Sequence, residues 1–257
     1  MKQPIAGILM LVVLSFPAIG VAGNITVNRV LSLGLCTDWL LAHYADRKQV
    51  LALSPLIKKY PGRWSSLDWP VHDGSLEQIL TLQPDLVLAS EYAGSLLRQR
   101  LKSLGIRVEV LNLPHNLDQM AAYEQRFLAL LGLPVNHASV APVEVEAGEN
   151  APSLLLLGAN GIGTGRNTFE DGIIEHAGWR NYLAEEQYTH LDLEQIIRQP
   201  PDAVLWAVPT SAARAYYFSE HPALQQVIPA HHWLTTDAWR WRCPGPWTWK
   251  LVEQLQQ

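Results

Sequence analysis

Residues Ser75 to Leu88 read SLEQILTLQPDLVL, and Asp192 to Leu205 read DLEQIIRQPPDAVL. Leu, Glu, Gln, Ile, Pro, Asp, Val and Leu recur between them at a constant offset. Each copy opens on a residue whose side chain can accept a hydrogen bond from the first helical turn, Ser75 or Asp192. Each carries Gln78 or Gln195 at the third helical position, the spacing of a capping box. Pro84 and Pro201 end the short helix, because the ring disfavours helical geometry in the residue before it and donates no hydrogen bond. The apolar runs that follow, Leu86 to Ala89 and Ala203 to Trp206, are short enough to be strands buried on both faces. Helix, Pro-Asp and buried strand thus occur in both halves, which predicts two related α/β lobes.

The same alternation extends outward from the repeat. Arg29 to Leu35 reads as a strand, Cys36-Thr37-Asp38 as a turn capping a helix from Trp39 to Tyr44, and Val50 to Leu53 as a second strand. Ser54 to Gly74, with Trp64, Trp69 and His72 among Pro55, Pro61, Gly62 and Pro70, reads as an irregular candidate ligand loop. Gly94 to Leu104 predicts a helix closed by Gly105, and Val108 to Leu111 a strand. Strands and helices in alternation with short connections imply a parallel sheet. Leu117 to Leu131 predicts a helix with one apolar face that Glu124 interrupts. Leu133 to Pro152, with three prolines and alternating Val and Glu, reads as a linker. Beyond it come the apolar run Ser153 to Leu157, a glycine-rich loop, a helix from Asn167 or Thr168 to His176, and the second repeat copy. A strand from Trp233 to Thr236 and a helix from Pro246 to Gln256 complete the chain.

The fold class is therefore α/β, with two similar lobes around mostly parallel sheets, joined by a helix plus Pro-rich linker, and a ligand cleft between the lobes. The division runs 1–22 export signal, 23–116 first lobe, 117–152 linker helix and Pro-rich connection, and 153–257 second lobe. Met1-Lys2, an apolar stretch from Ile8 to Phe16 and Gly20-Val21-Ala22 have the order of a cleaved secretory signal. Pro17 and Gly20 break the run short of the ~20 residues a membrane span needs. With no Cys near the cleavage point, the expectation is an exported protein free of a lipid anchor.

Net charge is −5 and becomes −6 without residues 1–22, which hold one Lys and no acid. No basic run appears, which argues against nucleic acid as partner. Cys36 and Cys243 are the only two cysteines. In an oxidising compartment they are able to pair, and two separate buried thiols are the other reading.

No sequence motif nominates a nucleophile. There is no G-x-S-x-G, no H-E-x-x-H and no C-x-x-C. Gly161, Gly163 and Gly165 form G-x-G-x-G, but Arg166 stands where the dinucleotide fingerprint needs glycine, so the loop reads as one requiring positive φ and close approach to some ligand. The nine His are scattered, with only His231 and His232 adjacent. The tail from Trp233 to Trp249 holds five of the ten Trp, with Arg240 and Arg242 interleaved. Trp247 or Trp249 suits packing under the last helix, while Trp239 and Trp241 are the better ligand candidates. In parallel α/β sheets ligands bind beyond the carboxyl ends of the strands. The connections there are Gly34 to Asp38, Glu91-Tyr92, Asn160 to Asn167 and Trp239 to Cys243, and lobes that face each other open all four onto one cleft.

The order RVLSLGLCTDWLL, SLEQILTLQPDLVLA, SLGIRVEVL, GTGRNTFEDGIIEHAGWRNYLAEE, LDLEQIIRQPPDAVLW, HPALQQV and WRCPGPWTWKLVEQL resembles the periplasmic substrate-binding proteins of ferric-siderophore and cobalamin ABC importers. The resemblance covers nearly the whole chain beyond the signal. It implies two lobes that hold a metal chelate or corrinoid between them and hand it to a membrane permease, as a monomer, in the periplasm, with no catalysis and no cofactor or resident metal. The ligand contacts would be Cys36, rings from Trp64, Trp69, Tyr92, Trp239 and Trp241, and anion contacts from Arg166, Arg240 and Arg242. The family docks by one exposed acid per lobe on permease arginines, which the repeat offers as Glu77 and Glu194; favourable placement in a first helical turn explains the same pair equally well. The family joins its lobes by one long stiff helix, whereas here the second long helix gives way to the Pro-rich Leu133 to Pro152. A Cys36–Cys243 bond would tie the lobes together. The rival readings are a nucleotide-dependent α/β enzyme using Gly161 to Gly165, a bare-metal-ion carrier, and a partner module without ligand.

Overall fold

The protein was described from a computed structural model covering residues 27–60, 68–137, 139–148, 150–208 and 216–257. The stretch 1–22, expected from sequence to be an export signal, and Trp64 lie outside the described residues. Two sheets carry the architecture. The first contains β1 (Val30–Ser32), β2 (Val50–Ala52), β3 (Leu86–Ser90) and β4 (Val108–Leu111), in the order β2-β1-β3-β4 and parallel throughout. Around it lie α1 (Leu35–Tyr44), α2 (Leu56–Lys59), α3 (Leu76–Leu82) and α4 (Ser95–Ser103).

The second sheet is mixed, with its parallel pairings in the majority. Its strands are β5 (Ser153–Leu157), β6 (Ile162–Thr164), β7 (Arg180–Asn181), β8 (Tyr188–His190), β9 (Ala203–Val208) and β10 (Trp233–Asp237). The order is β10-β9-β5-β6-β8, with β7 beside the start of β5. β10, β9 and β5 are parallel, whereas β6 runs antiparallel to β5 and β8 antiparallel to β6. The glycine-rich loop is the cause. Asn160 (φ 61°) and Gly161 (φ 71°) turn the chain back on itself, so what reads as a strand-to-helix loop becomes a returning strand.

The repeat performs the same task in each lobe. Ser75 accepts from Gln78 N–H and opens α3; Asp192 accepts from the N–H groups of Glu194 and Gln195 and opens α7 (Leu193–Arg198). The recurring aspartate then ties its strand to the first strand of its lobe. Asp85 Oδ2 accepts from Asn28 N–H at 3.4 Å, ahead of β1. Asp202 Oδ2 accepts both the N–H and the hydroxyl of Ser153, each at 2.7 Å, at the start of β5. Those hydrogen bonds from Ser153 hold the Asp202 carboxyl below its ordinary range. β3 and β9, which follow, are the central strands of their parallel groups, and Leu86, Val87, Leu88 and Val204 are wholly buried.

α1 begins earlier than the sequence suggests. Gly34 precedes it, and Cys36, Thr37 and Asp38 occupy its first turn. α5 (Met120–Leu130) extends a one-turn 3-10 helix at Leu117–Gln119 and crosses between the sheets: Tyr123, Phe127 and Leu128 join the core of the first, Met120 that of the second. After α6 (Phe169–His176) and α8 (Pro222–Val227), a five-residue helix α9 (Ala238–Arg242) stands where a loop was predicted, and α10 (Pro246–Leu255) ends the chain.

The C-terminal tryptophans divide between lobes. Trp247 packs edge-on to Trp39 of α1, with centroids 5.3 Å apart, in the first core; Trp249 and Trp241 belong to the second. Cys36 and Cys243 form a disulfide at this junction, closing a sequence separation of 207 residues. A cross-link over so long a loop restricts the unfolded chain and is worth about 2–5 kcal/mol. Reducing agent should therefore lower the unfolding free energy obtained from urea titration by that amount, and a Cys36→Ser, Cys243→Ser double variant should start at the lower stability and not respond to reductant.

Candidate functional site

A cavity of about 610 Å³ lies between the two sheets, within the ~300–1,000 Å³ typical of small-molecule sites. Its walls come from carboxyl ends of strands in both lobes, where parallel sheets leave a crevice. The first lobe contributes Gly34 to Cys36, Ser90 to Ala93 and Leu113 to His115. The second contributes Ile162, Asn167 to Glu170, Gln187, Tyr188, Trp239, Trp241, Arg242 and Pro244. All four connections singled out in the sequence reach it. A second cavity of about 500 Å³ shares Leu113, Pro114 and His115 with the first and continues toward Tyr123 and Arg126.

Five of the residues proposed from sequence line the main cavity: Cys36, Tyr92, Trp239, Trp241 and Arg242. They present themselves differently. Tyr92 is 79% exposed at the rim, whereas Trp241 is 2% exposed and donates its indole N–H to Thr236 Oγ1 at 2.9 Å. Trp239 is half-buried against the first core, and its ring meets Tyr60 at 4.7 Å. Other sequence candidates lie off the cavity wall. Trp69 packs against the first core with Arg47 stacked 5.1 Å above its ring, and Arg166 and Arg240 are solvent-exposed. Their side chains follow local geometry: Arg166 sits on a turn whose backbone pairs with Glu185 and Gln187, and Arg240 occupies the outer face of α9.

The chemistry is instead concentrated on α6 and β8, which the sequence did not single out. Glu170, in the first turn of α6, is 3% exposed, and Tyr188 at the start of β8 donates its hydroxyl to both carboxylate oxygens, at 3.0 and 2.9 Å. Burial pushes the Glu170 carboxyl up, and the Tyr188 phenol is pushed up by burial and by that same carboxylate. Arg242 opposes both shifts and so lies within electrostatic reach of the pair. From the other wall Glu91 accepts the N–H of Leu113 at 3.0 Å, and Arg98 donates to the carbonyls of Ser90 and Glu91, fixing the β3 connection. Asn167 (φ 58°) and Gln187 (φ 62°) both line the cavity in the left-handed region and hold each other through Gln187 Nε2 to Asn167 O at 3.0 Å. Backbone held so is over-determined by its surroundings. A signal for these residues was available only as a polar cluster on either side of the Arg180 region, with no fixed spacing.

The glycines have a different role from ligand approach. A Cβ on Gly163 would come within 2.5 Å of Leu183 and Leu191, and one on Gly165 within 2.1 Å of the Glu185 carbonyl. They let β6 press against its own chain. A phosphate cradle ahead of a helix is absent from this stretch, which removes the basis of the nucleotide reading. Among the described residues no three His, Cys, Asp or Glu side chains converge as bare-metal ligands, and no helix is long and apolar enough to cross a membrane.

Two α/β lobes meeting at the carboxyl ends of their strands, with one crossover between them, form the architecture of two-lobed solute-binding proteins. A possible iron-binding periplasmic solute-binding protein from Staphylococcus epidermidis ATCC 12228 shares it at 16% identity and TM-score 0.69, over 90% of this chain and 98% of that one. The periplasmic heme-binding protein HutB of Vibrio cholerae matches at 21% identity and TM-score 0.69, over 89% and 97%. The periplasmic vitamin B12-binding protein BtuF of Vibrio cholerae matches at 17% identity and TM-score 0.61, over 90% and 96%. No family model and no curated protein matches the chain in sequence. The likeness establishes the fold.

Beneath the cavity floor, Asp38 is wholly buried and accepts from Ser54 N–H at 2.8 Å and Ser54 Oγ at 2.6 Å. Burial raises its carboxyl from 3.8 to about 7, against the opposing hydrogen bonds from Ser32 and Ser54. A folded state that keeps this proton while the unfolded chain has lost it loses stability as pH rises from about 4 to about 7. Urea unfolding at intervals across that window should show the decline, and Asp38→Asn should remove its share, leaving a flatter profile.

Proposed function

We propose that the chain is the periplasmic solute-binding component of an ABC importer, which takes a ferric siderophore, corrinoid or comparable metal chelate into the inter-lobe cavity and delivers it to the permease. The observation that carries this reading is the cavity itself. It is apolar and ligand-sized, it is built from both lobes, and its polar groups are few and fixed in place. The fold shared with iron-, heme- and vitamin B12-binding proteins supports the same ligand class. The set Tyr92, Trp239 and Trp241 supplies ring surface for a large flat or globular complex, and Tyr188, Glu170, Glu91 and Arg242 orient it. Binding needs no nucleophile, in keeping with the motifs of the sequence. The decisive experiment is titration of the purified protein with metal chelates and with nucleotides, followed by tryptophan fluorescence. Saturable quenching by a chelate at micromolar concentration or below is the expected result; tight nucleotide binding with no response to any chelate overturns the reading.

Docking on the permease falls to the rim around the cleft mouth. α3 and α7 each run into the amino end of the strand after them, so their first turns lie at the carboxyl edge of the sheets. Glu77 and Glu194 are exposed there, the latter 3.1 Å from Arg198 in a solvent-facing pair of small energetic weight. Glu77→Lys combined with Glu194→Lys should leave chelate affinity unchanged within a factor of about two and reduce ATPase stimulation of the reconstituted importer at least tenfold, the change expected when two complementary charges are reversed. Unchanged stimulation would assign both residues to the favourable charge of a first helical turn alone.

A further inference from the structure

The second cavity, of about 500 Å³, is walled by the segment leaving the carboxyl end of β4 and by one face of α5, and it shares Leu113, Pro114 and His115 with the main cavity. Gln119, Tyr123 and Arg126 stand four and three residues apart, so they are neighbours along that face. Ala122 lies among them, and its small side chain leaves the middle of the face shallow. The helix spends its other side on packing, with Met120, Phe127 and Leu128 buried in the two cores.

Each of the three side chains offers a donor. Gln119 Oε1 accepts the His115 backbone N–H at 2.9 Å, which orients the amide and leaves its Nε2 to donate. Tyr123 is 5% exposed, and its buried hydroxyl has no hydrogen-bond partner among the described residues. Burial, together with the carboxylates of Glu124 and Glu91, pushes the phenol up, so the hydroxyl keeps its proton. Those carboxylates are engaged elsewhere, Glu124 with Ser139 and Tyr44 and Glu91 with the Leu113 N–H, and neither is among the described residues of this wall. Arg126 lies 3.6 Å from Glu109, which Arg107 also approaches at 3.3 Å, so two guanidinium groups share one carboxylate. A buried hydroxyl without a partner forfeits the hydrogen bond it had with water, and in a cavity wall it marks where the acceptor of an occupant belongs.

We infer that this second cavity is an oxyanion site, in which a carboxylate or phosphate group accepts hydrogen bonds from Gln119, Tyr123 and Arg126. Hydrogen bonds to a charged acceptor are the stronger kind, and the guanidinium fork matches two oxygens of such a group. The Arg126 side chain is 58% exposed, so water screens its charge and the Tyr123 hydroxyl carries the larger share. The oxyanion has two sources. One is an arm of the chelate held in the adjoining main cavity, which rests on the chelate-binding reading; the other is a free anion.

Matched probes distinguish them. Cyanocobalamin carries a phosphodiester arm that dicyanocobinamide lacks, and haemin carries propionates that its dimethyl ester masks; inorganic phosphate at matched ionic strength serves as the free anion. Chelate affinities are read by tryptophan fluorescence and phosphate binding by the shift in unfolding temperature. With an arm as source, the oxyanion-bearing member of at least one pair should bind about tenfold tighter than its partner; Tyr123→Phe should remove that preference and Arg126→Gln reduce it a few-fold. With a free anion as source, phosphate should raise the unfolding temperature of the native protein and not that of Tyr123→Phe. The hydroxyl removed has no partner, so ligand-free Tyr123→Phe should unfold at the native temperature or above it. A lower unfolding temperature with an unchanged preference makes the hydroxyl structural and overturns the inference. So does a preference or phosphate response that survives both substitutions, or the lack of either in a native protein that binds chelates, and these outcomes leave chelate binding standing. Phosphate binding without any chelate binding overturns the chelate reading and keeps the oxyanion site; no binding by any probe overturns both.

Discussion

Everything at the cleft depends on how the C-terminal elbow is fastened to the first helix. α9 and α10 belong by sequence to the second lobe, yet Cys243 and Trp247 are buried in the core of the first, against Cys36 and Trp39. Trp241 and Trp249, only two residues away from them on either side, are buried in the second core. One short segment is thus anchored alternately in two hydrophobic cores. Large aromatic side chains contribute most of the buried area in such a junction, and a covalent bond between Cys36 and Cys243 fixes its position. Cys36, Trp241, Arg242 and Pro244 of this junction line the cavity, so part of its wall is set by this packing.

The fastening also bears on stiffness. A Pro-rich crossover in place of a second long helix would leave two lobes on a tether if it were free. It is not free. Glu124, the residue that breaks the apolar face of α5, is wholly buried and accepts the N–H and hydroxyl of Ser139 at 2.6 and 2.7 Å, as well as the Tyr44 hydroxyl at 3.1 Å. Ser139 in turn accepts the Trp249 indole N–H at 2.8 Å. Farther along, Val145 N–H reaches His176 O, His176 Nε2 meets Pro142 O, and Gln256 Nε2 donates to Val143 O. A buried carboxylate is costly unless its oxygens are satisfied, and here the crossover satisfies it.

The repeat made the two lobes legible because its constraints are local: a cap three residues from its N–H partner, a proline, then an apolar run. The α/β class, both caps and the Pro-Asp turns follow from it. The antiparallel turn of β6 was not legible, because it depends on Asn160 adopting the left-handed conformation and on Gly163 fitting against Leu183 and Leu191, which are distant in sequence. The site was half legible for the same reason. Aromatic and arginine density pointed to the tail, and Trp239, Trp241 and Arg242 do line the cavity. Composition could not say that Arg166 and Arg240 turn outward, nor that Glu170 and Tyr188 meet, since a pair joined only through tertiary structure leaves no spacing to read.

That pair changes what the arginines mean. A sequence with Arg166, Arg240 and Arg242 near a ligand cleft suggests anion recognition, and three guanidinium groups aimed inward would supply it. Arg242 lines the cavity while Arg166 and Arg240 lie off its wall, and Glu91 and Glu170 share that wall with Arg242. Glu170 is kept in place by the Tyr188 hydroxyl and by its position in the first turn of α6, where the helix dipole favours negative charge. Desolvation works against its ionisation, and Arg242 works for it.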